Sequence, residues 1–119
     1  MADYVQVFSI GENIEILLNA EHEKILALGE KMNAAYEEAY MNGYNWEALL
    51  QYYLEKNAPD ILTDMKTDPE AGMYVAYWPL SPENEERANR FEEIIRSLAE
   101  HEEELCRLVR EEGSSIQWD

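Results

Sequence analysis

Cysteine is nearly missing from this 119-residue chain: Cys106 stands alone. No intramolecular disulfide can form, and nothing demands an oxidising compartment. With Leu105, Leu108 and Val109 as neighbours, the thiol is expected to be a small, buried, inert hydrophobe, because a reactive thiol needs a cationic and partly open setting. Glycine is scarce at five residues, and none of them builds the glycine-rich loop that cradles phosphate. Basic residues number nine against 26 acidic ones, for a formal charge of -17 and an isoelectric point near 4.3. Such a field repels nucleic acid and anionic membrane and draws basic partners from a distance, although acidity also serves plain solubility. No stretch approaches the ~20 apolar residues that span a bilayer. The start, Met1-Ala2-Asp3-Tyr4, lacks the basic region and apolar run of a signal peptide, so the chain is expected to stay in the cytoplasm.

The residue types that carry catalysis are equally thin. There are two histidines, His22 and His101. His22-Glu23 has no second histidine four residues after the first, which rules out the zinc-protease helix motif. His101 precedes Glu102, Glu103 and Glu104, but no glutamate lies three residues before it, as a carboxylate di-metal bundle requires. No Gly-x-Ser-x-Gly elbow is present. Carboxylate pairs can be drawn from Asp68, Glu70 and Glu47, yet with 26 acids some pair always looks suitable. No metal and no cofactor is expected.

What the chain does have is apolar and aromatic side chains, 46% hydrophobic with eight tyrosines and three tryptophans. That is enough for one core in a single domain spanning residues 1–119. Alternation predicts a strand over Tyr4 to Ile10, a turn at Gly11-Glu12-Asn13 and a second strand to Leu18. A long helix follows, capped by Asn19, with Ile25, Leu28, Met32, Ala35, Tyr36, Ala39 and Tyr40 on one stripe and Gly43 at its left-handed C-cap. Asn45 is expected to cap a second helix that buries Trp46, Leu49, Leu50 and Tyr53 and stops at Asn57-Ala58-Pro59. A short strand falls within Thr63 to Thr67, and a turn follows at Asp68-Pro69-Glu70-Ala71-Gly72, with Gly72 supplying a positive φ. Met73 to Trp78 is apolar on both faces. It should be covered on both sides, or have one side waiting for a partner. Ser81-Pro82 opens the last helical region, either one bent helix or two, ending at Gly113. Ser115 to Trp118 can add an edge strand. The order β-β-α-α-β-β-α-α predicts an α+β fold, an antiparallel sheet of about four strands with helices packed on it.

Two clusters remain unusual: Asn42-Gly43-Tyr44-Asn45-Trp46-Glu47, and Asp68-Pro69-Glu70-Ala71-Gly72-Met73-Tyr74-Val75-Ala76-Tyr77. As structure they read as a helix–helix corner and a turn feeding a core strand. Together with Tyr52-Tyr53-Leu54-Glu55-Lys56-Asn57 and the Glu92-to-Leu98 helix, they resemble the immunity protein 51 family. The resemblance implies a bacterial protein that neutralises a cognate polymorphic toxin by direct binding. The chain's negative field then points to a basic toxin domain, for example a nuclease, as the expected partner. Acidic and aromatic side chains near the two clusters are then the candidate contacts: Glu37, Glu38, Tyr44, Glu47, Asp68, Glu70, Tyr74 and Trp78. Trp46 lies on the buried stripe and is expected in the core. Two other readings compete. One is an acidic adaptor or structural module that self-associates as a homo-oligomer, and the other an enzyme using carboxylates.

Overall fold

The computed structural model describes residues 3–119. Strand β1 (Val5–Ile10) turns through Gly11 into β2 (Asn13–Asn19). Helices α1 (Glu23–Ala35) and α2 (Gly43–Asn57) follow. A 3-10 turn at Pro59–Leu62 leads to the two-residue β3 (Lys66–Thr67) and then β4 (Met73–Pro79). Helices α3 (Pro82–Glu100) and α4 (Glu102–Glu112) complete the order β-β-α-α-β-β-α-α expected from sequence. The sheet is antiparallel throughout, in the order β1-β2-β4-β3.

Register decides which side chains meet the helices. Val5 lies opposite Leu18, and Leu18 opposite Tyr74. Two residues on, Val7, Ile16 and Ala76 form the next row, and Ser9, Ile14 and Trp78 the third. Because strand side chains alternate, these rows share one face. Helices α2 and α3 pack on it, and Phe91 of α3 meets Tyr74 and Trp78 edge-to-face at 6.1 and 6.3 Å between ring centroids. The indole Nε1–H of Trp78 donates to the Ile61 carbonyl at 3.0 Å. Tyr74 and Trp78 are fully buried, so the expectation that they contact a partner is corrected: they hold the sheet to its helices. Trp78→Phe is expected to cost about 1–3 kcal/mol, through the lost hydrogen bond and unfilled volume, while leaving partner affinity unchanged. Equilibrium urea unfolding beside a binding titration checks both.

Several local expectations give way to tertiary contacts. The stripe from Ile25 does not run on to Tyr40. Helix α1 is capped by His22, whose Nδ1 accepts from the Lys24 N–H at 3.1 Å, not by Asn19. It ends at Ala35, and Tyr36 is extended at φ -153. The segment 36–42 then lies across the helix at Gly29, where an added Cβ would come 3.1 Å from Met41 Cβ. Asn42 caps α2, its Oδ1 accepting from the Asn45 N–H at 2.9 Å. Asn45 sits inside α2, buried, donating to the Tyr40 carbonyl and accepting from the Asp119 N–H. Tyr53 is only half-buried, and Leu54 takes its place in the core. Gly72 has no positive φ; among the described residues Gly11 (φ 58) and Asp64 (φ 62) do. The last helical region is two helices that part at His101, as one of its two readings held. Cys106 is half-buried, and desolvation pushes its thiol pKa up. Ser115 to Trp118 forms no strand. Gly113–Ser115 is a 3-10 turn, and Trp118 beyond it stacks on Tyr36.

Candidate partner-binding surface

The two sequence clusters meet in space. The Gly43 N–H donates to the Ala71 carbonyl at 2.9 Å, which pins the start of α2 to the turn before β4. A Cβ on Gly43 would lie 1.8 Å from the Glu70 carbonyl oxygen. From the next turn of α2, the half-buried Glu47 carboxylate accepts a hydrogen bond from Thr67 Oγ1 on β3. The clusters are thus two sides of one structural joint.

Of the candidate contacts, Tyr44 is exposed and, with Glu47, lines a cleft of about 560 Å³ between α2 and the C-terminal segment. Tyr52, Glu55, Trp118 and Asp119 are among its other walls. Glu37 and Glu38 are exposed on the 36–42 segment, where Tyr36 Oη donates to Glu38 Oε2 at 3.1 Å. Asp68 and Glu70 are exposed beside β4, their N–H groups donating to the Val75 and Met73 carbonyls. Glu47 bonds Thr67 on the helix-covered face of β3, and Asp68 follows Thr67 on the opposite face, so these two carboxylates lie close together on opposite sides of the sheet edge.

The other face of the sheet is built by the strand residues of opposite parity. By register, Gln6, Leu17 and Val75 form one row across it, and Phe8, Glu15, Tyr77 and Lys66 the next. Asp68 extends the first row through its hydrogen bond to Val75. A solvated antiparallel face ordinarily alternates to polar residues. Here Phe8, Leu17, Val75 and Tyr77 are apolar, half-exposed and outside the packed core cluster. The sequence signal was present in the two-sided apolar character of β4, but it does not fix which side is in.

Charge is distributed unevenly. Eight of the nine cations lie on helices, and Lys66 alone lies on the sheet. Several helix cations are held within the molecule: Lys24 by Glu100 at 3.3 Å, Lys31 by Glu102 at 2.7 Å, Lys56 by Glu112 at 3.0 Å, Arg90 by Asp60 at 2.6 Å and Arg96 by Asp3 at 2.7 Å. Three of these pairs join two helices, Arg90 ties α3 to the 3-10 turn and Arg96 ties it to Asp3 ahead of β1, and together they use up positive charge, so most acids have no cation beside them. Arg96 holds the Asp3 carboxyl below the usual range, Arg90 does the same to Asp60, and Tyr52 and then Lys56 to Glu112. Folded values below unfolded ones mean that these groups add stability above about pH 4 and lose it as pH falls through the folded values. Exposure keeps each contribution small. Self-repulsion at charge -17 acts against folding at neutral pH. Added salt is therefore expected to raise Tm at pH 7, and Tm should drop below about pH 4. Thermal melts over pH and salt check both; a Tm lowered by salt at pH 7 would show that the pairs outweigh the repulsion.

Among the described residues no group of three His, Cys, Asp or Glu side chains is placed to hold a metal ion, and no helix is long and apolar enough to cross a membrane. No curated protein and no solved structure gives a significant match. The sequence profile of immunity protein 51 matches residues 6–114, which takes in both clusters, the sheet except Val5 and all four helices. On that match the chain belongs to the immunity protein 51 family.

Proposed function

We propose that this chain neutralises a cognate protein toxin by binding it directly, without catalysis, in the cytoplasm of the cell that makes it. Family membership supplies the class of function. The observation that carries the mechanism is the surplus of uncompensated acid: -17 overall, with many of the few cations spent on internal pairs. A basic toxin domain is the complementary partner, and a polyanion such as nucleic acid is not. The test is co-expression with the toxin domain encoded beside this gene. Growth should be restored, and the two chains should purify as a complex. Failure to restore growth, with both proteins present at comparable levels, would overturn the reading.

A further inference from the structure

Resting on that reading, we propose that the uncovered sheet face is the toxin-docking surface: Phe8, Leu17, Val75 and Tyr77 receive apolar side chains, while Glu15 among them and Asp68 at their margin pair with cations. Three features converge. First, the face carries apolar side chains where solvent alone would favour polar ones, in two neighbouring rows that span the strands. Aromatic anchors with few rotors, here Phe8 and Tyr77, are what interface centres use.

Second, the carboxylates of that face call for a cationic partner. Glu15 lies within the second row between Phe8 and Tyr77, Asp68 at the margin is bonded through its backbone to Val75, and Lys66, the one cation on the sheet, ends the second row. One carboxylate inside the apolar patch and one at its margin are complementary to cations on a docking partner. Third, β1 lies at the sheet edge and reads Val-Gln-Val-Phe-Ser-Ile, without the lysine, proline or inward charge that normally blunts an edge. Beyond the Val5 carbonyl, which accepts from Arg96 Nη2 at 3.3 Å, the face runs out to a border without such a guard.

The same face is a poor seat for a second copy. Two chains of charge -17 would place Glu15 and Asp68 of each against an acidic surface, and like charges across an interface cost affinity. A basic domain gains where a copy loses.

The experiment uses the full chain with the toxin domain encoded beside it. Hydroxyl-radical footprinting of the wild-type complex reads Phe8, Met73 and Tyr77 on this face, and Tyr40, Tyr44 and Trp118 elsewhere. Protection of the first set with the second unchanged is expected. Leu17→Lys, checked for folding by its thermal melt, is expected to weaken binding roughly 30-fold or more. Protection confined to Tyr44 and Trp118, with Leu17→Lys binding like wild type, overturns the docking face and leaves the immunity function standing. Absence of any wild-type complex overturns both. Concentration-dependent protection of Phe8 and Tyr77 in the free chain assigns the face to a second copy and overturns the proposal.

Discussion

Gly43→Ala is expected to destabilise the fold by about 3 kcal/mol or more, a large share of the 5–15 kcal/mol typical of a domain. An added Cβ would stand 1.8 Å from the Glu70 carbonyl oxygen and 2.2 Å from that of Met73. Neither can yield cheaply, because both are backbone atoms. Glu70 and Met73 are bonded to each other in both directions, and Met73 continues into the β2–β4 ladder opposite Asn19. Relief requires α2 to lift away, breaking the Gly43 N–H bond to Ala71 and straining the Asn42 cap. A thermal melt should show Tm lower by roughly 10 °C or more. The companion variant separates two explanations. A glycine needed for left-handed backbone tolerates asparagine, whereas a glycine needed for close approach does not. Gly43→Asn is therefore expected to be at least as damaging as Gly43→Ala. Gly11→Asn should be nearly neutral, since Gly11 has φ 58 and nothing lies within 4 Å of its added Cβ. A loss under about 1 kcal/mol for Gly43→Ala, a surface-sized effect, would contradict this account of the joint.

That glycine marks where the sequence stopped being legible. Local signals were sufficient at Ser81-Pro82, where Ser81 Oγ accepts from the Asn84 N–H at 3.1 Å and Pro82 opens α3. They were sufficient too for β1 and β2, whose alternation is the strand's own period, and for the existence of β4 as a short apolar run. They failed at Asn42-Gly43, since Gly after a helical stripe reads as a C-cap whatever presses on it. The true break, at Tyr36, has no proline or glycine near it. It is set by Met41 crossing Gly29 and by Asn45 bonding back to Tyr40, contacts between residues five or more apart that no window pattern carries.

Strand β4 failed differently. Period two states that Tyr74 and Trp78 share a face and that Val75 and Tyr77 share the other. With both faces apolar, nothing in the strand says which is inside, and a parity error of one residue exchanges the whole set. Partner contacts were accordingly expected at Tyr74 and Trp78. The neighbouring strands settle the parity: Ile14, Ile16 and Leu18 are the more apolar set of β2 and pair with Trp78, Ala76 and Tyr74. The tyrosine left facing outward is Tyr77. Asp68 does lie beside that outward face, whereas Glu47 bonds the adjacent Thr67 from the helix side of the sheet and Tyr44 lines the α2 cleft.

The excess of acid leads to the second large effect, on the rate of association. With a basic toxin domain, association at low salt is expected near ~10⁸ M⁻¹s⁻¹ or above, falling at least about tenfold as ionic strength rises from roughly 0.01 to 1 M. The Debye length shrinks from about 30 Å to about 3 Å over that range. A field of -17 thus reaches across the approach path at one end and only to the first contact at the other. Dissociation should change far less, because contacts already formed are desolvated and weakly screened. Stopped-flow mixing at several salt concentrations reads both rates. The comparison with folding gives the prediction its edge, since one charge excess has two opposite consequences. Salt should raise the Tm of the free chain by screening self-repulsion while slowing its capture of the partner. An acidic partner reverses only the second response, and a neutral one removes it. A salt-independent association rate would remove electrostatic steering from the mechanism and leave shape and apolar contact at the sheet to account for binding.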